Sequence, residues 1–394
     1  MSAIPRFSRR GRWAVPAGAV AVVAAAAANS AITVAQAAPV LPARTPAQLL
    51  AAVAGDHTAP PPLTGTVVET ASLGIPQLPG NENPTSLTSL LAGSHTLKIW
   101  YGGPKQLRLA APVQMGESDF ILNGNTAWLW QSNTNSVTRF VLPADRGHQR
   151  KLVRPKTPVT PLTPQEAARQ ALAAVGPTTR VTTEANVIVA GQPAYQLVLA
   201  PKSSGSLIGK ITIALDAQHL SVPLRVQVFA RGATSPAFQI GYTSISFVTP
   251  AAANFRFTPP PGAPVHTVTG LGSGMAGAMG AQATPGKHPQ IQMIGKHWLS
   301  VAVLPASALS ELAGQGNAAG VAGQAARSAA GGGGSLSGGE VLGALLGAAH
   351  PVHGAWGSGR LLHTTLLSLL ITNGHVLIGA VTPSVLYAAA AQVK

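Results

Sequence analysis

Thr96-Leu97-Lys98-Ile99-Trp100-Tyr101-Gly102-Gly103-Pro104-Lys105-Gln106-Leu107-Arg108-Leu109 is the stretch that decides the fold of this 394-residue chain. Leu97, Ile99 and Tyr101 fall two apart, with Lys98 and Trp100 between them, and Leu107 and Leu109 bracket Arg108. A period of two places alternate side chains on opposite faces of a strand, so one face is apolar and the other polar or amphipathic. Gly102-Gly103 between the two runs reads as a hairpin turn. The stretch therefore predicts two antiparallel strands over a shared apolar face.

The same pattern extends outward in both directions. Residues 64–70 read as a strand, and a Pro/Asn-rich stretch, 75–84, interrupts as a loop. Residues 120–122 run into Asn123-Gly124, the strongest short hairpin signal in the chain, and return through Trp128 and Trp130. Further strand-like runs occupy 186–189, 195–199, 207–215, 224–229, 238–247 and 255–257, before Pro259-Pro260-Pro261-Gly262 stops the sheet. Two helices are written in by their caps. Thr45-Pro46 opens one with Leu49, Leu50 and Val53 on a face, and Thr163-Pro164-Gln165-Glu166 opens another that ends at Gly176-Pro177. The fold class predicted is mostly β (α+β), a meandering antiparallel sheet with covering helices.

The ends divide the chain further. Arg6, Arg9, Arg10 and Arg12 precede an uncharged apolar run, and Ala35-Gln36-Ala37 offers a cleavage site. Residues 1–37 thus read as a signal peptide, or alternatively as an uncleaved anchor. Ser8-Arg9-Arg10 leaves the Sec and twin-arginine routes both open. After a sheet region over 38–265, residues 266–289 read as a flexible Gly/Met linker and 290–305 as a strand segment. Residues 306–349 are low-complexity Ala/Gly/Ser, and 350–394 read as a hairpin turning at Asn373-Gly374 with a helix after Thr382-Pro383. The apolar run at 361–371 is too short to span a membrane.

Composition narrows the chemistry. With no cysteine there is no disulfide, thiolate metal site, thiol nucleophile or lipid-modified cysteine. The net charge of +15, less the four arginines of the leader, leaves +11, a surface drawn to anionic headgroups. Its densest part includes Arg139, Arg146, His148, Arg150, Lys151, Arg154 and Lys156, read as a solvated loop or as a membrane-surface patch. No basic motif interleaved with aromatics supports nucleic acid.

Catalytic and cofactor signatures are weak. Gly272-Ser273-Gly274-Met275-Ala276-Gly277 has the letters of a dinucleotide fingerprint but no preceding strand and no following acid. Gly-x-Ser-x-Gly is absent. Glu117 and Asp119 share a face at a spacing of two and read as a solvent-facing polar strand or turn before a general acid/base pair. His350 and His353 flank Pro351 without a third ligand. The expectation is no enzyme, no cofactor and no metal.

Several stretches carry a resemblance to a known family. They are Arg44-Thr45-Pro46 with Leu49-Leu50, residues 96–101 with Gly103-Pro104, and Glu117-Ser118-Asp119 through Asn123-Gly124 to Trp128-Leu129-Trp130. Ala194-Tyr195-Gln196-Leu197-Val198-Leu199, Val222-Pro223-Leu224-Arg225-Val226 and Phe255-Arg256-Phe257-Thr258-Pro259-Pro260 complete the set. Together they resemble the LolA-like superfamily, and within it the actinobacterial branch. That superfamily holds lipoprotein carriers, the N-terminal domain of RseB/MucB regulators, and mycobacterial lipid-binding lipoproteins. The resemblance implies an unclosed β half-barrel over 38–265 whose concave apolar face, covered by helices, holds acyl chains. The chain departs from the lipid-anchored members in lacking the lipobox cysteine.

Alternation selects Leu97, Ile99, Tyr101, Leu107, Leu109, Trp128, Trp130, Leu197, Leu199, Ile211, Ile213, Val226 and Val228 as the apolar lining of the face that the resemblance implies. Arg146, Arg150, Lys151, Arg154 and Lys156 are the candidate membrane-surface residues. The function expected is an exported, extracytoplasmic binding or carrier protein for a lipid, a lipoprotein acyl chain or another amphiphile, with an anionic membrane surface as partner. The alternative is an RseB/MucB-like regulator that binds a membrane protein.

Overall fold

The computed structural model describes residues 39–55, 60–74, 92–113, 116–142, 163, 175–269, 291–306, 347–372 and 374–393. The described residues from Val40 onward belong to one compact unit. The chain enters it through helix α1, Pro46–Gly55, which starts where its cap dictates. Thr45 Oγ1 accepts the Gln48 N–H at 3.2 Å, and Gln48 Oε1 accepts the Thr45 N–H at 2.9 Å.

Twelve strands form the large sheet. The first meander is β1 Leu63–Ser72, β2 Ala92–Gly103, β3 Gln106–Val113, β4 Gly116–Asn123, β5 Thr126–Gln131 and β6 Ser136–Val141. The second is β7 Thr179–Val189, β8 Gln192–Pro201, β9 Ile208–Asp216, β10 Pro223–Ala230 and β11 Phe238–Ser246. β12, Val265–Thr269, completes the sheet in the order β12-β6-β5-β4-β3-β2-β1-β11-β10-β9-β8-β7. The two end strands do not pair, so the sheet stays open and is not a barrel. The antiparallel seam between β1 and β11 joins the two meanders.

Turn chemistry explains the short connections. Asn123 pairs with Thr126, so the two loop residues are Gly124 and Asn125, and Gly124 takes the positive φ of 61° at the first of them. The signal read at Asn123-Gly124 thus makes the hairpin, one residue further along. Ala190 and Gly191 join β7 to β8 with φ of 51° and 78°, an arrangement in which alanine is the strained member.

The proline run at 259–261 was expected to stop the sheet, and the structure corrects this. The segment 247–264 leaves β11 and carries Phe257 against Trp128 and Trp130, then delivers β12 to the free edge of β6. That pairing is parallel, the one such pairing in this sheet, because the crossing segment returns the chain in the direction of β6.

A second sheet of six strands gathers segments that the sequence presented as separate islands. β13 Gln292–Ile294, β14 Val301–Pro305, β15 His350–Gly354, β16 Gly357–His363, β17 Ser368–Thr372 and β18 His375–Gly379 stand in the order β13-β14-β18-β17-β16-β15. Helix α2, Pro383–Ala390, packs Leu386, Ala389 and Ala390 against Val301, Val303, Leu370 and Leu377. This small sheet is fastened to the large one. Trp298 Nε1 donates to Thr179 Oγ1 at 2.7 Å, Leu207 N–H to Ala380 O at 3.0 Å, and Thr365 N–H to Leu73 O at 3.0 Å.

Candidate functional site

The apolar face of the large sheet follows from strand register. Leu63, Val67, Leu97 and Ile99 share one side of β1 and β2, and Tyr101 pairs with Leu107 as Ile99 pairs with Leu109. Across the seam Ile240 pairs with Val226, Val226 with Ile213, and Ile213 with Leu197. The next row is Phe238, Val228, Ile211 and Leu199. Eleven of the predicted lining residues therefore stand on one face: Leu97, Ile99, Tyr101, Leu107, Leu109, Leu197, Leu199, Ile211, Ile213, Val226 and Val228. Leu49 of α1 and Trp298, between β13 and β14, pack on the same cluster, which makes this the inner face.

Trp128 and Trp130 require a correction. They pair with Ile121 and Asp119, while Leu129 pairs with Phe120 and Ala127 with Leu122. Because Phe120 and Leu122 stand opposite Leu109 and Leu107, the inner face of β5 carries Ala127 and Leu129, and both indoles point outward. The physical reason is parity. Each two-residue turn with a regular register exchanges odd for even positions, whereas the irregularity between Tyr101 and Gly103 leaves β2 and β3 in phase. Phe120, Leu122, Leu129 and Phe140 are thus the inner-face residues that sequence reading missed, although the turn lengths around Asn123 were there to be counted.

Burial varies along this face. Leu197, Leu199, Ile213, Leu215, Leu224 and Ile240 are fully buried. At the β3–β5 end Leu107, Leu109, Phe120, Leu122 and Leu129 are only half-buried. One acid interrupts the apolar rows. Glu69, opposite Ile240 on β11 and His95 on β2, is 5% exposed, and burial raises its pKa above the ordinary value while the His95 imidazole pulls the other way.

The outer face of β3–β5 holds a charged cluster under aromatic cover. Arg108 contacts Asp119 through a short charge-assisted hydrogen bond and lies 3.6 Å from Glu117. Asp119 is buried, contrary to the solvent-facing strand expected for it. Its pKa is pushed up to about 7, first by burial and then by the hydrogen bond and charge of Glu117, against the pull of Arg108. The Arg108 guanidinium lies over Trp100, and that of Arg139 over Trp128. Arg108 is thus shared by two carboxyl groups, Asp119 and Glu117, on this face.

Other sequence candidates resolve as follows. A polar pocket of about 190 Å³ lies between residues 42–44 and β7–β8, lined by Arg44, Glu184, Tyr195 and Gln196 among others. It is smaller than the roughly 300–1,000 Å³ of typical small-molecule sites. His350 and His353, three apart on β15, point to opposite faces, and no group of three potential ligands that could hold a metal occurs among the described residues. No helix among the described residues is long and apolar enough to cross a membrane. The membrane-surface candidates Arg146, Arg150, Lys151, Arg154 and Lys156 lie outside the described residues, as do the fingerprint at 272–277, the leader and residues 164–174 of the second predicted helix.

Several solved structures align with the chain at low TM-scores. The MucA/MucB complex of Pseudomonas aeruginosa aligns with a TM-score of 0.39 and 14% identity, over 88% of this chain and 96% of that one. The chain is similar in structure to LolA-like proteins. A LolA superfamily protein of Nitrosomonas europaea aligns at a TM-score of 0.22 and 9% identity, over 55% of this chain and 99% of that one. The lipoprotein LppX of Mycobacterium tuberculosis aligns at 0.24 and 8%, over 49% and 92%. No protein-family model and no curated protein matches the chain. At such identities and TM-scores, the residues of this chain alone carry the functional reading.

Proposed function

We propose that this protein binds an amphiphile on the inner face of its open sheet and works outside the cytoplasmic membrane as a lipid-binding or carrier protein. One observation carries the reading: an apolar face, interrupted at Glu69 and His95, whose β3–β5 end remains half-buried in an open sheet. An acyl chain laid on that end covers Leu107, Leu109, Leu122 and Leu129, and each methylene removed from water contributes about 0.8 kcal/mol before ordering costs. The fully buried rows at β8–β11 supply a rigid wall beside it. Binding of this kind needs no catalytic group, and the basic surface favours an anionic membrane as the place of loading or release.

The test is direct. Delipidated mature protein is incubated with a total lipid extract, re-purified and analysed by mass spectrometry alongside thermal unfolding. A bound amphiphile with a raised melting temperature supports the reading, and an empty protein with an unchanged melting temperature sinks it. Leu109→Asp together with Leu129→Asp places charge on the half-buried end and should abolish binding.

A second reading, a regulator that grips a membrane protein, is favoured by the six-stranded small sheet. Among the described residues that join its strands, Trp298 packs into the inner-face cluster and Leu366 packs against Val228 and Phe238. A layer of that size has capacity for a task other than holding lipid. Because β13 and β14 belong to the same sheet as β15–β18, the pull-down that discriminates should use surface substitutions on that sheet, since truncation at Gly354 would dismantle it.

A further inference from the structure

We infer that the outer face of β5, β6 and β12, at the free edge of the large sheet, is a docking surface for an anionic lipid bilayer. The inference rests on the reading above, of a protein that works at membranes, and names the face that meets them.

The residues follow from register. Trp128 stands beside Arg139 with Thr267 beyond it, and Trp130 stands beside Val137 with Val265 beyond it. Val141, two past Arg139 on β6, shares their face, which is the outer one already found for both indoles. Phe257 leans on the two half-buried indoles, with ring centroids 5.5 and 6.3 Å away. Val137 is fully buried, but the rim is open: Val265 is 44% exposed and Val141 36%. Arg139 is exposed as well, its guanidinium 5.4 Å from the centre of the Trp128 ring. It makes no ion pair among the described residues.

Charge and apolarity together select the occupant. Residues 120–142 and 247–269, which supply these strands and the segment that crosses them, contain Arg139, Arg256 and His266 and no acid. The carboxyl groups on the next strand, Glu117 and Asp119 of β4, are shared with Arg108. Beyond Val141 the chain continues through Arg146, Arg150, Lys151, Arg154 and Lys156, with Asp145 its one acid up to that point. At no more than about 3.6 Å per residue, Arg146 stays within about 18 Å of Val141. An indole under a guanidinium, with apolar side chains beside it and no acid, suits the headgroup region of a bilayer. Tryptophan favours that boundary, arginine pairs with lipid phosphate, and valine reaches the acyl layer beneath. An acidic polymer would engage the cations but gain nothing from Val141 and Val265. Docking here also serves the inner face. Leu129 stands on the opposite side of β5, so the half-buried end of that face is brought to the edge where lipid enters or leaves.

Co-sedimentation of the delipidated mature protein with vesicles of phosphatidylcholine, alone or mixed with phosphatidylglycerol, tests this. The unsubstituted protein sediments with the mixed vesicles and weakly with the neutral ones, and added salt releases it. Val141→Asp together with Val265→Asp lowers the affinity for mixed vesicles at least about tenfold, each added anion near the surface being worth about fivefold. Ile291→Asp together with Met293→Asp changes the net charge equally at two exposed positions of β13 and the residue before it, and lowers the affinity far less. All four side chains are exposed, so both double variants are expected to fold. Arg139→Gln against Lys296→Gln repeats the comparison without burying or adding a charge, and the first should cost about fivefold. Equal losses within either pair mean that net charge alone attracts vesicles, and overturn the docking surface. Uptake of a soluble fluorescent fatty acid separates this from the inner-face reading. Uptake without any binding to mixed vesicles overturns the surface and leaves the inner face standing. The expected vesicle pattern without uptake leaves the surface standing and sinks the inner face.

Discussion

Replacing Trp298 separates the two contributions that fasten the small sheet to the large one. The indole is 7% exposed and packs in the cluster of Leu197, Leu199 and Ile213, and its Nε1 donates to Thr179 Oγ1 at 2.7 Å. Trp298→Phe keeps most of the ring and removes the N–H. Thr179 Oγ1 still accepts the Gly176 N–H at 3.4 Å, so it is not orphaned, and the loss is that of one ordinary buried hydrogen bond plus a small void, about 1–2 kcal/mol. Trp298→Ala removes the ring as well and costs about 3–5 kcal/mol. Urea unfolding followed by far-UV circular dichroism gives both values, and a double-mutant cycle with Thr179→Val isolates the hydrogen bond at about 1 kcal/mol. If Trp298→Ala lies within about 0.5 kcal/mol of the unsubstituted protein, the ring is not part of the large sheet's core and the account of the junction is wrong.

Three further outcomes are expected. Gly65→Ala brings a Cβ to 2.6 Å from the Tyr242 ring and 2.8 Å from Ser244 O, and should destabilise by about 1–3 kcal/mol in thermal unfolding. Asp119 holds a proton in the folded chain up to pH about 7 that the unfolded chain has lost above its ordinary 3.8. Stability therefore falls as pH rises through that window, by up to about 1.4 kcal/mol per pH unit. Asp119→Asn should flatten the slope between pH 4 and 7 in urea titrations, and an unaltered slope would show that another group causes it. Ala190→Gly relieves a positive φ of 51° and should stabilise by about 0.5–1 kcal/mol, read as a raised melting temperature.

Much of the large sheet was legible because alternation is a local signal. Leu97, Ile99 and Tyr101 declare their strand without help from elsewhere, and Thr45 with Gln48 caps α1 as its sequence says. What sequence could not supply is register across distance. The outward turn of Trp128 and Trp130 depends on one irregularity at Gly102, and no residue there announces a shift that glycine merely permits. The parallel addition of β12 depends on where a proline-rich crossing lands. Of the inner face, the apolar rows were readable, but Glu69 was not singled out. Its neighbours on the chain, Val68 and Thr70, look like those of any exposed strand acid, and its burial comes from β2 and β11, 26 and about 171 positions away.

The seam between β1 and β11 also sets a timetable. Each meander is built from neighbouring hairpins that can close as soon as they exist, but the strand at residues 63–72 must wait for residues 238–246 before its second edge is satisfied. Until then two half-sheets each present an unpaired, apolar border, which is the geometry that invites strangers to join. A chain delivered end-first through a narrow conduit would emerge with its first border bare for most of the journey. Pulse-labelled hydrogen exchange should therefore find the amides of β1 and β11 protected together and late, after those of β4–β5 and β8–β9. Early protection at the seam would rule this order out.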